Sequence, residues 1–125
     1  MDIGTGYLSA KMAVDTKVVN VKVQYLRPEY KNLVEWLSND THLYIGRDMS
    51  FYVAGAYKSK WHNPFKVSSK GYTLDDSLKL YEEHVRTSGL INEIEELRGL
   101  VLGCWCKPNR CHGDVLVKLL AENQL

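Results

Sequence analysis

The sequence predicts a small three-layer α/β domain: a short, mostly parallel sheet flanked by helices. Three observations predict it. Strand-like and helix-like patterns take turns along the chain in the order β-α-β-loop-α-α-β-α, which makes the strands parallel and the helices their crossovers. A length of 125 residues fits one domain. Hydrophobic residues at 45% and charged residues at 25% lie close to the globular average, which supports a packed core and argues against disorder.

Residues 1–15 have no convincing period and contain Gly4 and Gly6, so they read as a tail or an edge segment. The domain proper spans 16–125. Val18, Val19, Val21, Val23 and Tyr25 are strand formers with partial alternation, closed by Arg27-Pro28. Pro28 suits the first turn of a helix, and Tyr30, Leu33, Val34 and Leu37 then follow at i, i+3, i+4, i+7. Ser38-Asn39-Asp40 ends that helix, and Leu43-Tyr44-Ile45 is a second strand stopped by Gly46. The stretch from Arg47 to Tyr72 has no clean period. It is long for a structureless connection, and its aromatics Phe51, Tyr52, Tyr57, Trp61 and Phe65 argue against disorder.

Thr73 with Asp76 resembles a capping box with Asp in place of Glu. Leu74, Leu78, Tyr81 and Val85 mark one helical face, which Ser88-Gly89 stops. Leu90, Ile91, Ile94 and Leu97 form a shorter stripe. Leu100 to Cys106 reads as a strand buried on both faces, Lys107 to Arg110 as a turn, and Asp114 to Asn123 as a last helix. Right-handed crossovers place the C-terminal ends of parallel strands on one edge, where open α/β sheets bind ligands. The Gly46-Arg47 loop and the Cys104–Asp114 loop both belong to that edge.

Charge and cysteine usage exclude several classes. Sixteen Lys and Arg against fifteen Asp and Glu give a formal charge of +1, which argues against a long nucleic acid as partner. All three cysteines fall between 104 and 111, unlike the spread, even-numbered set of a secreted disulfide scaffold. No signal-peptide h-region opens the sequence and no apolar run approaches a membrane span. The expected location is intracellular, in the cytoplasm, with reduced thiols and no membrane partner. Oligomeric state is left open.

Two constellations carry chemistry. In the first, Cys104, Cys106, Cys111, His112 and Asp114 crowd a strand-to-helix turn. Three thiols and an imidazole are suitable ligands for tetrahedral zinc, and Cys104 and Cys106 share a face of a strand. Zinc loops usually space paired ligands by two to four residues, whereas Cys111 and His112 are adjacent. No cofactor is therefore favoured, and zinc on Cys104, Cys106, Cys111 and His112 is the minor alternative. In the other reading Cys111 gains nucleophilicity from a helix start and from Arg110. Cys104 to Arg110 also has the C-x5-R spacing of phosphatase loops, but lacks their glycines. The bland account makes Cys104 and Cys111 packing thiols and Asp114 a helix cap.

The second constellation is the Arg47–Tyr72 loop. Arg47, Lys58, Lys60, Lys66 and Lys70 are opposed only by Asp48, a net charge of about +4 by counting. Asp75 to Glu96 then holds seven acids against Lys79 and Arg86. A solvated face is the ordinary explanation. The sharper one is an anionic ligand over the sheet edge, clamped by Arg47 and approached by Gly46 and Lys60. Trp61 would offer a stacking surface for its organic part, and Asn63 would read an amide or ring edge, although Asn-Pro is also a common turn.

The motifs Tyr44-Ile45-Gly46-Arg47, Trp61-His62-Asn63-Pro64-Phe65, Leu80-Tyr81, Leu97-Arg98-Gly99, Cys104-Trp105-Cys106-Lys107-Pro108 and Cys111-His112-Gly113-Asp114-Val115-Leu116 together resemble domain-of-unknown-function family 4326 (DUF4326), over about residues 17–123. The chain departs from that pattern at His62, where the family has Gly, and in a longer stretch between Arg47 and Trp61. The resemblance implies an α/β fold and brings no reaction with it.

The expectation from the residues is a site that binds, and in one version processes, a nucleotide-like or other phosphorylated small molecule. Arg47 would hold the anion, and Trp61 and Asn63 the organic part. His112 would act as general acid or base oriented by Asp114, with Cys106 or Cys111 as nucleophile. Such an enzyme would be a hydrolase or transferase. The alternative is a non-catalytic ligand sensor or a zinc-stabilised interaction module.

Overall fold

The computed structural model describes residues 15–123. Residues 1–14 of the expected tail, and residues 124–125, lie outside the described residues. The most apolar segment takes the middle of the sheet. Strand β3 (Val101–Cys104) lies between β1 (Lys17–Asn20) and β2 (His42–Tyr44), and both pairings are parallel. A central strand covered on both faces has no solvated side, which is why Val101-Leu102-Gly103-Cys104 tolerates no charged residue. Lys17 and His42 both pair with Val101, and Leu102 sits between Val18 and Leu43. The strands are therefore level, and their C-terminal ends share one edge.

Side chains alternate across this sheet as its pleat requires. Val18, Leu43, Ile45, Leu102 and Cys104 face one helical layer. That layer is α3 (Leu74–Thr87), a 3-10 helix (Leu90–Leu97) and α4 (His112–Glu122), contributing Tyr81, Val85, Ile94, Leu97, Leu116 and Leu120. Val19, Val21, Tyr44, Val101 and Trp105 face the opposite layer. There α1 (Val23–Leu26) and α2 (Leu33–Leu37) supply Leu26, Leu33 and Trp36. The three layers and the parallel sheet agree with the sequence reading.

Two glycines set the closeness of the layers. A Cβ on Gly103 would lie 2.5 Å from Trp36 Cη2 and 2.6 Å from Val21 Cγ1, so the bare strand lets the Trp36 indole lie on it. A Cβ on Gly113 would lie 2.8 Å from Val18 Cγ1, so the first turn of α4 presses directly onto β1.

Boundaries differ from the sequence reading in three places. The first strand stops at Asn20 rather than running to Tyr25, because Asn20 Oδ1 accepts the Lys22 N–H at 2.8 Å and turns the chain into α1. The helix expected from Pro28 is only α2. Asn32 caps it by accepting the Glu35 N–H; Leu33 is buried and Tyr30 and Leu37 pack against the same cluster, while Val34 stays 48% exposed and Trp36 takes its place on the packed face. The last helix begins at His112, two residues earlier than expected, because Cys111 is its N-cap. The starts and stops of α3 match: Thr73 Oγ1 accepts the Asp76 N–H and Gly89 takes a left-handed φ of 95°.

The long connection after β2 is anchored in both core layers. Ala56 is buried against Trp36 and Tyr44, and Met49 exchanges backbone hydrogen bonds with Ala56 and Val53. Trp61 is buried in the other layer. These anchors hold the loop over the sheet edge. No helix among the described residues is long and apolar enough to cross a membrane.

Candidate functional site

The C-terminal edge of the sheet carries a cleft of about 560 Å³. Its walls come from the end of β2 (Gly46, Arg47), the end of β3 (Cys104, Trp105, Cys106), the start of α4 (His112) and the long loop (Asn63, Phe65, Lys66, Val67). Strand ends and a helix N-terminus converge here because parallel strands all finish at this edge, which is the usual ligand position in open α/β sheets.

Hydrogen bonds fix the two strand-end loops to each other. Trp105 Nε1 donates to Tyr44 Oη at 2.6 Å, and Tyr44 Oη donates to the Arg47 carbonyl at 2.6 Å. Burial raises the Tyr44 pKa, so the phenol remains a donor. Asn20, at the end of β1, donates Nδ2 to the carbonyls of Lys107 and Trp105. Lys107 Nζ in turn donates to Asp114 Oδ1. The turn that bears Cys106 is thus tied to β1 and to α4. Sequence reasoning passed over Asn20; its place at the end of a strand was the available signal.

Three sulfurs meet at this turn. Cys104, Cys106 and Cys111 have Sγ atoms all within 4.8 Å of one another, and the Cys104–Cys111 separation is 2.8 Å. Cys104 and Cys111 are buried, while Cys106 is exposed at the cleft. The S–H groups of Cys104 and then Cys111 hold the Cys106 thiol far below the ordinary thiol range. The reciprocal contact with Cys106 pushes Cys104 up to about 11, and contact with Cys104 and Cys106 raises Cys111. Of the three sulfurs the exposed one is thus the most acidic. The Gly113 N–H, in the first turn of α4, points at Cys111 Sγ at 3.4 Å.

His112 is 6% exposed, and desolvation lowers its pKa, leaving a neutral ring. Its Nε2 lies 2.8 Å from the Ile45 carbonyl, which can only accept. Nε2 therefore carries the proton, and Nδ1 presents a lone pair on the side of Cys111 Sγ, 3.7 Å away. Tyr81 packs edge-on against the ring at a centroid distance of 5.0 Å.

The structure brings some of the residues expected from the sequence together and separates others. Gly46, Arg47, Asn63, Cys104, Cys106 and His112 line one cleft. Cys111 lies directly behind them, within the sulfur cluster. Asp114 does not orient His112. Sitting at the third helical position, its Oδ2 turns back to accept the Cys111 N–H at 3.0 Å and closes a capping box; the Ile45 carbonyl does the orienting. Trp61 is 1% exposed, with Nε1 donating to Glu96 Oε2 at 2.8 Å, so its faces are covered by core rather than free for stacking. Lys60 is drawn to Glu93 and Glu96 on the 3-10 helix and does not line the cleft. Asn63 lines it, but Nδ2 donates to Ser77 Oγ and Oδ1 accepts the Phe65 N–H, the turn role. Lys66, Phe65 and Trp105 also line the cleft, and no motif marks them as ligand contacts. Lys66 was visible only as one of several loop cations.

Comparison with known proteins gives relatives without assigned chemistry. The family model described as Domain of unknown function (DUF4326) matches residues 29–122. "Uncharacterized protein R718" of Acanthamoeba polyphaga mimivirus is 33% identical over 85 residues, covering 62% of this chain and 65% of that protein. The "Uncharacterized 12.4 kDa protein in nrdA-td intergenic region" of Enterobacteria phage T4 is 52% identical over 27 residues, covering 22% of this chain and 25% of that protein. The matched segments thus span less than two thirds of the length of either relative. No solved structure matches.

Proposed function

The chain belongs to the DUF4326 family, and for it we propose that the cleft at the C-terminal edge of the sheet binds a small anionic molecule, nucleotide-like or otherwise phosphorylated. One observation carries the reading: two cations, Arg47 and Lys66, line the cleft, and among the described residues no carboxylate does. Arg47 makes no ion pair with any carboxylate among the described residues, unlike Lys60, Arg86, Arg98 and Lys118, so its planar fork is available for a phosphate or carboxylate. Apolar surface for the organic part comes from Phe65 and Trp105, in place of the buried Trp61. A volume of about 560 Å³ falls in the range of small-molecule sites.

The groups that would face such a molecule are the Cys106 sulfur and the neutral His112 ring, both on the wall that joins β3 to α4. The test is thermal denaturation of the purified full chain with inorganic phosphate, nucleotides, sugar phosphates and uncharged nucleosides. A phosphorylated compound at 100 times its Kd should stabilise by about 2.7 kcal/mol, roughly 10 °C for a domain of this size. Arg47→Ala with Lys66→Ala should abolish that shift, and nucleosides should give none. The proposal fails if no anion moves the transition, or if the double variant responds like wild type.

A further inference from the structure

We propose that Cys104, Cys106 and Cys111 form a binding site for a soft divalent cation, Zn²⁺, with His112 Nδ1 as fourth donor, in the wall of the cleft. Tetrahedral zinc with Zn–S bonds near 2.3 Å places its sulfurs about 3.8 Å apart. Three sulfurs within 4.8 Å of one another surround that arrangement, and the Cys104–Cys111 pair, 2.8 Å apart, would open by about 1 Å to admit the ion. With a Zn–N bond near 2.0 Å, sulfur and nitrogen on one ion stand about 3.6 Å apart. Cys111 Sγ and His112 Nδ1 stand 3.7 Å apart.

Two further features fit a metal, beside the capping of α4 by Cys111 and the burial of His112 that they also serve. A metal-binding imidazole generally gives its other N–H to a carbonyl or carboxylate, which fixes the tautomer; His112 Nε2 is held by the Ile45 carbonyl at 2.8 Å. The Gly113 N–H directed at Cys111 Sγ is a donor suited to a thiolate. A Cys104–Cys111 disulfide would use two sulfurs and leave Cys106 and the imidazole without a part. Binding forms three Zn–S bonds, and the thiol protons still held by the cysteines go to solvent. The site's net charge is then −1, and the Arg47 side of the cleft is where that charge meets a cation. This assignment stands on the sulfur geometry and does not require the anion-binding reading.

The experiment uses the full chain purified under a non-chelating reductant. Metal analysis should find about one zinc per chain, and cobalt exchanged for it should give thiolate charge-transfer absorption with tetrahedral d–d bands. Cys106→Ser, at an exposed position that keeps the fold, should weaken zinc at least tenfold in chelator competition. Cys111→Ser should do the same, and His112→Ala should alter the cobalt d–d bands. Lys60→Ala, whose side chain pairs with Glu93 and Glu96 away from the cleft, should keep its zinc. Failure of the folded wild type to take up zinc or cobalt, wild-type affinity in both cysteine variants, or a Cys104–Cys111 disulfide in the fresh, metal-free protein would overturn the site. Unchanged d–d bands in His112→Ala would overturn the fourth ligand. Metal failure with the anion-induced thermal shift intact would leave the anion proposal standing, and the reverse result would leave this one.

Discussion

Replacing Trp61 with phenylalanine separates the two roles that an aromatic residue beside this cleft could have. The indole is 1% exposed and packs in the same layer as Tyr81 and Leu116. Phenylalanine fills part of its space and leaves a void of about 40 Å³, which at about 24 cal/mol per Å³ costs about 1 kcal/mol. The smaller ring also buries less apolar surface, about another 0.5–1 kcal/mol. The lost hydrogen bond runs to Glu96, whose side chain is 45% exposed and also paired with Lys60, so the carboxylate can turn to water and the loss is about 0.5–1 kcal/mol. The total is about 2–3 kcal/mol, or roughly 8–11 °C in Tm for a domain of this size. Urea unfolding followed by far-ultraviolet circular dichroism measures it without relying on tryptophan fluorescence. Saturating anion should still stabilise the variant as it does wild type. A stability loss below about 0.5 kcal/mol combined with disappearance of the anion-induced shift would refute the assignment of Trp61 to the core.

Two other substitutions test how the edge is built. Gly103→Ala places a methyl group 2.5 Å from the Trp36 ring and should destabilise by about 1–3 kcal/mol through overpacking, read from urea midpoints; an unchanged midpoint would mean the Trp36 layer yields freely. Asp114→Ala removes both the capping-box acceptor and the Lys107 partner, and should cost about 0.5–2 kcal/mol while leaving the His112 ring on the Ile45 carbonyl; a changed His112 tautomer in nitrogen-detected NMR would show that Asp114 orients the ring after all.

How far the site is legible in the residues depends on which kind of contact is involved. Periodicity exposes Val18, Leu43, Leu102 and Cys104 as members of a buried sheet, because alternation is a local property of the strand. Caps such as Thr73 with Asp76 are local too, and they match. Strand ends are the next most legible: chain order alone sends Gly46-Arg47 and Cys104–Cys106 to one edge, and both line the cleft. The stripe Tyr30, Leu33, Val34, Leu37 is right for three residues that pack and fails at Val34, because the short α2 starts only after the Asn32 cap and turns Trp36 inward.

Residue order establishes a small α/β domain, the clustering of three thiols and His112 in residues 104–112, and a basic loop placed ahead of an acidic helical segment. Tertiary structure alone decides which of those residues share a site. Trp61, Lys60 and Asp114 are each of a type that could hold or orient a ligand. Their partners, Glu96, Glu93 and the Cys111 N–H, lie on other elements or on the backbone, so only the folded chain shows them occupied. The same holds for His112, whose tautomer is set by the carbonyl of Ile45, 67 residues away. Residue identity fixes what a side chain can do, and the atoms that three-dimensional packing brings within about 3 Å fix which of those capacities it uses.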